Sequence, residues 1–215
     1  GKKSEKEKFA GALYTLSLET LLPNGKAIQC CTSHNLAQNF SKPFDITFLD
    51  KNEKKQYAWQ NSWGFTTRTI GIMIAMHGDD KGLVIPPRLA ETQVVIIPIL
   101  FDKTKEKVLK KANEILKSLK DYKVNLDDRE DYSPGWKFNE HELKGVPVRI
   151  ELGPKDLENN QVVLVRRDNF KKENVKFKDL NKKVGETLES MQKSLYEKAK
   201  KSLYNSINEA KNLND

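Results

Sequence analysis

The sequence predicts an α/β chain, α+β overall: an antiparallel sheet, then a smaller mixed-sheet α/β domain, then a long C-terminal helix. Three observations carry this. Tyr14, Leu16 and Leu18 alternate with Thr15, Ser17 and Glu19 ahead of Pro23-Asn-Gly25, the pattern of a half-buried strand entering a tight turn. Gln93 to Leu100 carries a continuous apolar run, the mark of a strand covered on both faces. Val108, Leu109, Ala112, Ile115, Leu116 and Leu119 then recur at helical spacing.

Each element follows in order. The first strand runs from Ala12 to Leu22 and a second returns from Ala27 to Thr32, giving an antiparallel hairpin. Asn35 to Ser41 is expected as a short helix with Ser33 as its N-cap. Asp45 to Asp50 and Gln56 to Trp63 are expected as a second hairpin around Lys51-Asn-Glu-Lys54. A helix begins near Thr67 and carries Ile70, Ile72, Met73, Ile74 and Met76; apolar nearly all round, it is expected to be buried. Pro86-Pro87 closes this first region, because neither residue continues a helix or donates to a sheet. Beyond the Gln93 strand and its helix come strands at Val124 to Leu126, Val146 to Leu152 and Gln161 to Val165. A short helix sits near Phe138 to Leu143, and a long one runs from Val184 through Leu203 to Ile207. The expected division is 1–90, 91–180 and 181–215.

Composition bounds the function classes. With 215 residues, 37% hydrophobic and 32% charged, the chain suits one large or two ordinary domains. No apolar run reaches the ~20 residues of a membrane span, and Gly1 to Lys8 has no apolar signal-peptide core. The two cysteines, Cys30 and Cys31, are adjacent, which offers neither a long-range staple nor metal-ligand spacing and favours a reducing cytoplasm. The net charge of +8 is spread as +4 in residues 1–90 and +4 in residues 91–215. Such an excess suits a phosphate-rich partner, and mere solubility tolerates it too.

The most informative stretch is Asn61-Ser-Trp-Gly-Phe-Thr-Thr-Arg68. A strand from Tyr57 to Trp63 is expected to break at Gly64 and pass into a helix capped by Thr67, with Arg68 in its first turn. Unpaired N–H groups and the dipole make such a helix start attract anions, and an arginine adds a fork suited to phosphate oxygens. The plainer reading of Arg68 is a surface charge near a strand end.

This stretch resembles motif 3 of class II aminoacyl-tRNA synthetases, and in detail the prolyl-tRNA synthetases of archaeal and eukaryotic type. Phe9-Ala-Gly-Ala12, Thr32-Ser-His34, Asn39-Phe-Ser-Lys42, Ser62-Trp-Gly64, Thr66-Thr-Arg68 and His77-Gly-Asp-Asp-Lys-Gly-Leu-Val84 occur in that family in this order. Tyr132-Ser-Pro-Gly-Trp-Lys-Phe138, Glu142-Leu-Lys-Gly145 and Val165-Arg-Arg-Asp168 follow likewise, so the resemblance covers nearly the whole chain. It implies ATP-dependent activation of L-proline, with Mg2+ accompanying ATP, and transfer to proline tRNA by a cytoplasmic homodimer with no membrane association. Arg68 would be the catalytic motif 3 arginine on the ATP phosphates, with Gln29 and Thr32 at the nucleotide. His34, Ser62, Trp63 and Gly64 would neighbour proline, and no metal is held by this chain. Thr32 and His34, two apart on a strand, share a face. A lone His at a strand end is also an ordinary structural residue, and Trp59 and Trp63 could simply be core. Motifs 1 and 2 normally precede this region and a further C-terminal domain follows it. The resemblance therefore implies a fragment, inactive alone, that carries part of the catalytic domain and the anticodon-binding domain. The alternative is a non-catalytic, synthetase-like tRNA-binding module.

For the anticodon domain, all proline anticodons share two adjacent guanines, whose edges call for carboxylates, Arg and Lys beside aromatic surfaces. Arg129, Trp136, Lys137, Glu142, Lys144 and Arg149 supply that mixture, joined by Asp127, Asp128 and Phe138. Each alone reads as a solvated surface residue. Arg166-Arg167-Asp168 fits either phosphate contact or a structural salt bridge.

Overall fold

The structure, a computed structural model, describes residues 1–209 and 212. The chain divides into two compact units, Gly1–Met76 and His77–Asp215.

In the first unit, strands β1 (Tyr14–Leu21), β2 (Ala27–Ala37) and β5 (Gln60–Phe65) form an antiparallel sheet in the order β1-β2-β5. The strands β3 (Thr47–Leu49) and β4 (Lys55–Tyr57) make a separate two-stranded hairpin. Its turn is set by Asp50, whose carboxylate accepts from the backbone N–H groups of Asn52 and Lys54. Three expectations are corrected here. Residues 35–41 are not a helix: β2 continues to Ala37, because β1 and β5 pair with it on both sides, and pairing outweighs local propensity. The expected strand Gln56 to Trp63 is two strands, one in the small hairpin and one in the main sheet. Nor does it break at Gly64, which sits within β5 opposite Thr32. Cys30 is the extra residue of a bulge, since Leu18 pairs with Cys31 and Glu19 with Gln29.

Helix α1 (Arg68–His77) starts where expected, although it is Thr66 rather than Thr67 whose hydroxyl accepts from the Arg68 N–H. The expectation that α1 is buried is also corrected: Ile72 alone is buried, and Ile70 and Ile74 are exposed. A helix apolar on every side needs cover on every side, and the described residues cover only one stripe of it.

The second unit is a five-stranded mixed sheet in the order β10-β9-β8-β6-β7. Its strands are β6 (Val94–Pro98), β7 (Val124–Leu126), β8 (Val148–Leu152), β9 (Gln161–Arg166) and β10 (Lys172–Lys176). β6 is parallel to both neighbours, as its uniformly apolar sequence requires, while β8, β9 and β10 are antiparallel. One face, with Val94, Ile96, Val148, Ile150 and Leu152, packs with α2 (Lys105–Ser118) and α5 (Leu180–Asn205). The other lies under α3 (Pro134–Leu143), capped by the Ser133 hydroxyl, which accepts from the Trp136 N–H. A short α4 (Pro154–Glu158) and the edge strand β10 were not expected; neither has a strong periodic signature in so few residues. Ile207 lies beyond the end of α5.

Residues 79–85 follow the α3–β8 junction closely. The Leu83 N–H donates to the Leu143 carbonyl at 3.0 Å and the Ile85 N–H to the Gly145 carbonyl at 3.4 Å. Gly145 has φ +72°, and a Cβ there would lie 2.7 Å from the Leu83 carbonyl carbon. Gly145→Ala is therefore expected to destabilise the chain by more than about 1 kcal/mol. Urea unfolding followed by far-UV circular dichroism measures this.

Candidate functional site

In the first unit the register sorts the candidate ligand residues onto two faces. Thr15 opposes His34 and His34 opposes Ser62, while Ser17 opposes Thr32 and Thr32 opposes Gly64, so these six share one hydroxyl-rich face. His34 is held from both sides: Nδ1 lies 2.9 Å from Thr15 Oγ1 and Nε2 3.0 Å from Thr32 Oγ1, with Phe9 against the ring. A Cβ at Gly64 would come within 3.0 Å of Thr32 Oγ1, so glycine keeps that face shallow. Trp63 points to the opposite face, 81% exposed, beside a wide apolar concavity with Leu16, Leu18, Cys31 and Phe65. The structure therefore brings His34, Ser62, Gly64 and Thr32 together and places Trp63 elsewhere. Gln29 lies past the bulge, opposite Glu19. Arg68 is exposed at the first residue of α1, with no side-chain partner among the described residues.

In the second unit the candidate RNA residues converge on α3, mostly as members of ion-pair networks. Asp127, just past the end of β7, accepts a bidentate pair from Arg129, at 2.8 Å each, and meets His141 Nε2 of the last turn of α3 at 2.9 Å. Arg129 also binds Glu140, which accepts from Lys144 at 2.7 Å. Tyr132 and Trp136 stack at 4.0 Å with the Arg129 guanidinium against both rings. Lys137 is 2% exposed; its ammonium donates to the carbonyls of Asp127 and Arg129, pinning the loop between β7 and α3. Its ammonium is thereby committed to the fold. At the C-terminal half, buried Arg149 sits against Phe138 and pairs with Glu142 at 2.6 Å and Glu151 at 3.0 Å.

Two positions that sequence reasoning left undecided or missed anchor this arrangement. Arg167, its side chain 1% exposed, grips Asp79 through both guanidinium nitrogens at 2.6 and 2.7 Å and donates from Nε to the Glu142 carbonyl. Of the two readings of Arg166-Arg167-Asp168, the salt bridge is the one observed, with Arg166 held by Asp168. His141 lies four residues after Lys137 on the same buried side of α3, a side whose charged residues give no apolar signal in the sequence. The Asp79 partner lies 88 residues away and left no local signal.

The network moves several carboxyls. Burial works to raise the Asp127 carboxyl, but hydrogen bonds from Arg129 and His141 outweigh it and hold the group well below its ordinary range. Hydrogen bonds from Lys144 and Arg129 lower Glu140, and the one from Arg167 lowers Asp79. Burial lowers the Lys137 ammonium. Asp127, Glu140 and His141 offer ligand atoms within 4.8 Å of one another, but Arg129 already bridges both carboxylates, so a metal ion would have to displace it.

Two expectations follow. Arg167→Ala leaves the Glu142 carbonyl and the part-exposed Asp79 without their partner and opens a buried site, so a loss of about 1–3 kcal/mol in urea unfolding is expected. Because the folded Asp127 carboxyl titrates below its unfolded value, its stabilisation is complete above about pH 4 and is lost as pH falls through the folded value. Asp127→Asn should therefore flatten the fall in stability below about pH 4, read from thermal melts across that range.

Residues 93–187 match the anticodon binding domain family. Over 216 aligned residues the chain is 50% identical to the proline-tRNA ligase of Natranaerobius thermophilus, covering all of this chain and 45% of that protein. It is 54% identical to that of Alkaliphilus oremlandii and 55% identical to that of Ruminiclostridium cellulolyticum, in each case over 93% of this chain and 42% or 41% of the relative. The chain thus spans less than half the length of these relatives. No helix among the described residues is long and apolar enough to cross a membrane. The chain is thus similar over its length to part of the proline-tRNA ligases, and residues 93–187 belong to the anticodon binding domain family.

Proposed function

We propose that this chain contributes to ATP-dependent ligation of L-proline to proline tRNA in the cytoplasm, as the part of such a ligase that holds one side of the ATP and proline site and reads the anticodon. The observation that carries this is the placement of Arg129, Trp136, Glu142 and Lys144 on and beside one buried-footed helix in a unit that matches anticodon-binding domains. Residues 1–90 act as the catalytic part, 91–180 as the anticodon domain and 181–215 as a helix leading onward.

In the catalytic part, Arg68 reaches the ATP phosphates from the start of α1, where backbone N–H groups and the helix dipole add to its charge. An exposed, unpartnered guanidinium at that place fits a polyphosphate carrying Mg2+. Thr32 and Gln29 attend the nucleotide. His34 is held as a positioned ring between two hydroxyls, and with Ser62 and Gly64 it borders the proline. Trp63 lies exposed on the other face of β5, away from that group. Attack of the proline carboxylate on the α-phosphate needs positioning and charge stabilisation more than a nucleophilic side chain, which agrees with a face of hydroxyls and an arginine. The complete reaction requires further residues on the phosphates and a homodimer, so the isolated chain is expected to give no proline-dependent ATP–pyrophosphate exchange.

The anticodon reading is tested by fluorescence titration of proline tRNA against the chain at one stated salt concentration, beside a transcript with both anticodon guanines replaced. Native tRNA should bind at least about tenfold more tightly, the discrimination expected of directly read base edges. Equal binding of the two transcripts would leave only a basic surface and overturn the assignment.

A further inference from the structure

A crevice of about 320 Å³ opens in the second unit between the loop that follows β6 and the loop that follows β7. Its place follows from the topology. β6 and β7 are parallel neighbours, and the chain leaves β6 into α2 on one face of the sheet and β7 into α3 on the other. The two loops therefore diverge at the carboxyl ends of adjacent strands, the arrangement at which open α/β sheets take ligands.

The chemistry of the lining selects the ligand. The cations are already committed: Arg129 to Asp127 and Glu140, Lys137 to two backbone carbonyls, and Lys105 to Glu130. Two exposed carboxylates, Asp102 and Asp131, have no hydrogen-bond or ion-pair partner among the described residues. The crevice therefore offers free acceptors and no free donor side-chain charge, which disfavours phosphate and favours a group bearing N–H donors. Its walls include Phe101, 61% exposed, and Tyr132, 41% exposed and backed by Trp136. Exposed aromatic rings beside acceptors are what an unstacked nucleobase requires: a π-face to lie on and partners for its amino or imino edge.

We propose that this crevice is a nucleobase subsite: it takes one unstacked base of the tRNA anticodon loop against Phe101 and Tyr132, with its N–H edge on Asp102. The proposal rests on the reading of the chain as an anticodon-binding protein. It adds residues that the sequence reading did not single out, at the opposite end of α3 from the Glu142–Arg149 group.

The test uses the full chain and a set of proline tRNA transcripts, each with one anticodon-loop base replaced. Binding is measured for the unsubstituted chain, Asp102→Asn and Phe101→Ala; both side chains are exposed, and circular dichroism confirms that the variants fold. At one loop position, replacing a base by one without the matching donor edge should weaken binding to the unsubstituted chain about tenfold or more. The same replacement should leave binding to Asp102→Asn unchanged, and Phe101→Ala should weaken binding to native tRNA several-fold. If both variants bind every transcript as the unsubstituted chain does, the crevice is not a base site, although the anticodon reading stands. If the unsubstituted chain itself does not distinguish the transcripts, the anticodon reading fails and the crevice proposal with it. Saturable competition by a free amine, with no dependence on the transcript, would assign the crevice to a different ligand and overturn the proposal.

Discussion

The second unit depends on one constraint: the sheet face under α3 carries charges that must be paired before it can be buried. Arg149 and Glu151 alternate with Val148, Ile150 and Leu152 along β8, so placing the aliphatic residues in the core sends the charged ones beneath α3. Asp127, Lys137, His141 and Arg167 lie in the same layer, all buried. An isolated ion there would be costly, and the layer is stable only because each charge meets a fixed partner. The pairs also specify geometry. Lys137 fixes the loop before α3, while Asp127 holds the last turn through His141 and Arg167 binds the Glu142 carbonyl and Asp79. The helix is tied at both ends by directional contacts, a stricter positioning than apolar packing provides.

That constraint bears on the proposed function. A base-reading surface gains affinity and selectivity when its groups are held before RNA arrives, because little ordering remains to be done on binding. Trp136, Lys144 and the exposed part of Arg129 reach solvent from a rigid footing, whereas Arg149 and Lys137 serve that footing. In the first unit the same division appears in neutral form. Thr15 and Thr32 are the supports that orient His34, and Arg68 stands free at the helix start.

Much of this was legible in the sequence, for identifiable reasons. The β6 run, the α2 periodicity and the alternation of β1 are strong local signals, and each gave its element. The shared face of Thr32 and His34 followed from strand geometry alone. What was hidden depends on pairing across the chain. Residues 35–37 became strand because both neighbours of β2 pair there. Gly64 stayed in β5 for the same reason, and Trp63, grouped with Gly64 by the family resemblance, lies on the opposite face of the strand. The burial of Lys137 and Arg149 was likewise invisible, since a charged residue gives no sign of its partner until the partner's place is known. Asp79 and Arg167 are the extreme case.

The central claim is that the RNA-reading surface is α3 with the loop that precedes it, standing on a prepaid ionic layer. Hydrogen–deuterium exchange of the chain with and without proline tRNA tests it most directly. The account predicts added protection confined to residues 101–104 and 127–144, with β6 and β8 equally protected in both states. Protection spread over the lysine-rich surfaces of α2 and α5, with none at 127–144, would contradict it.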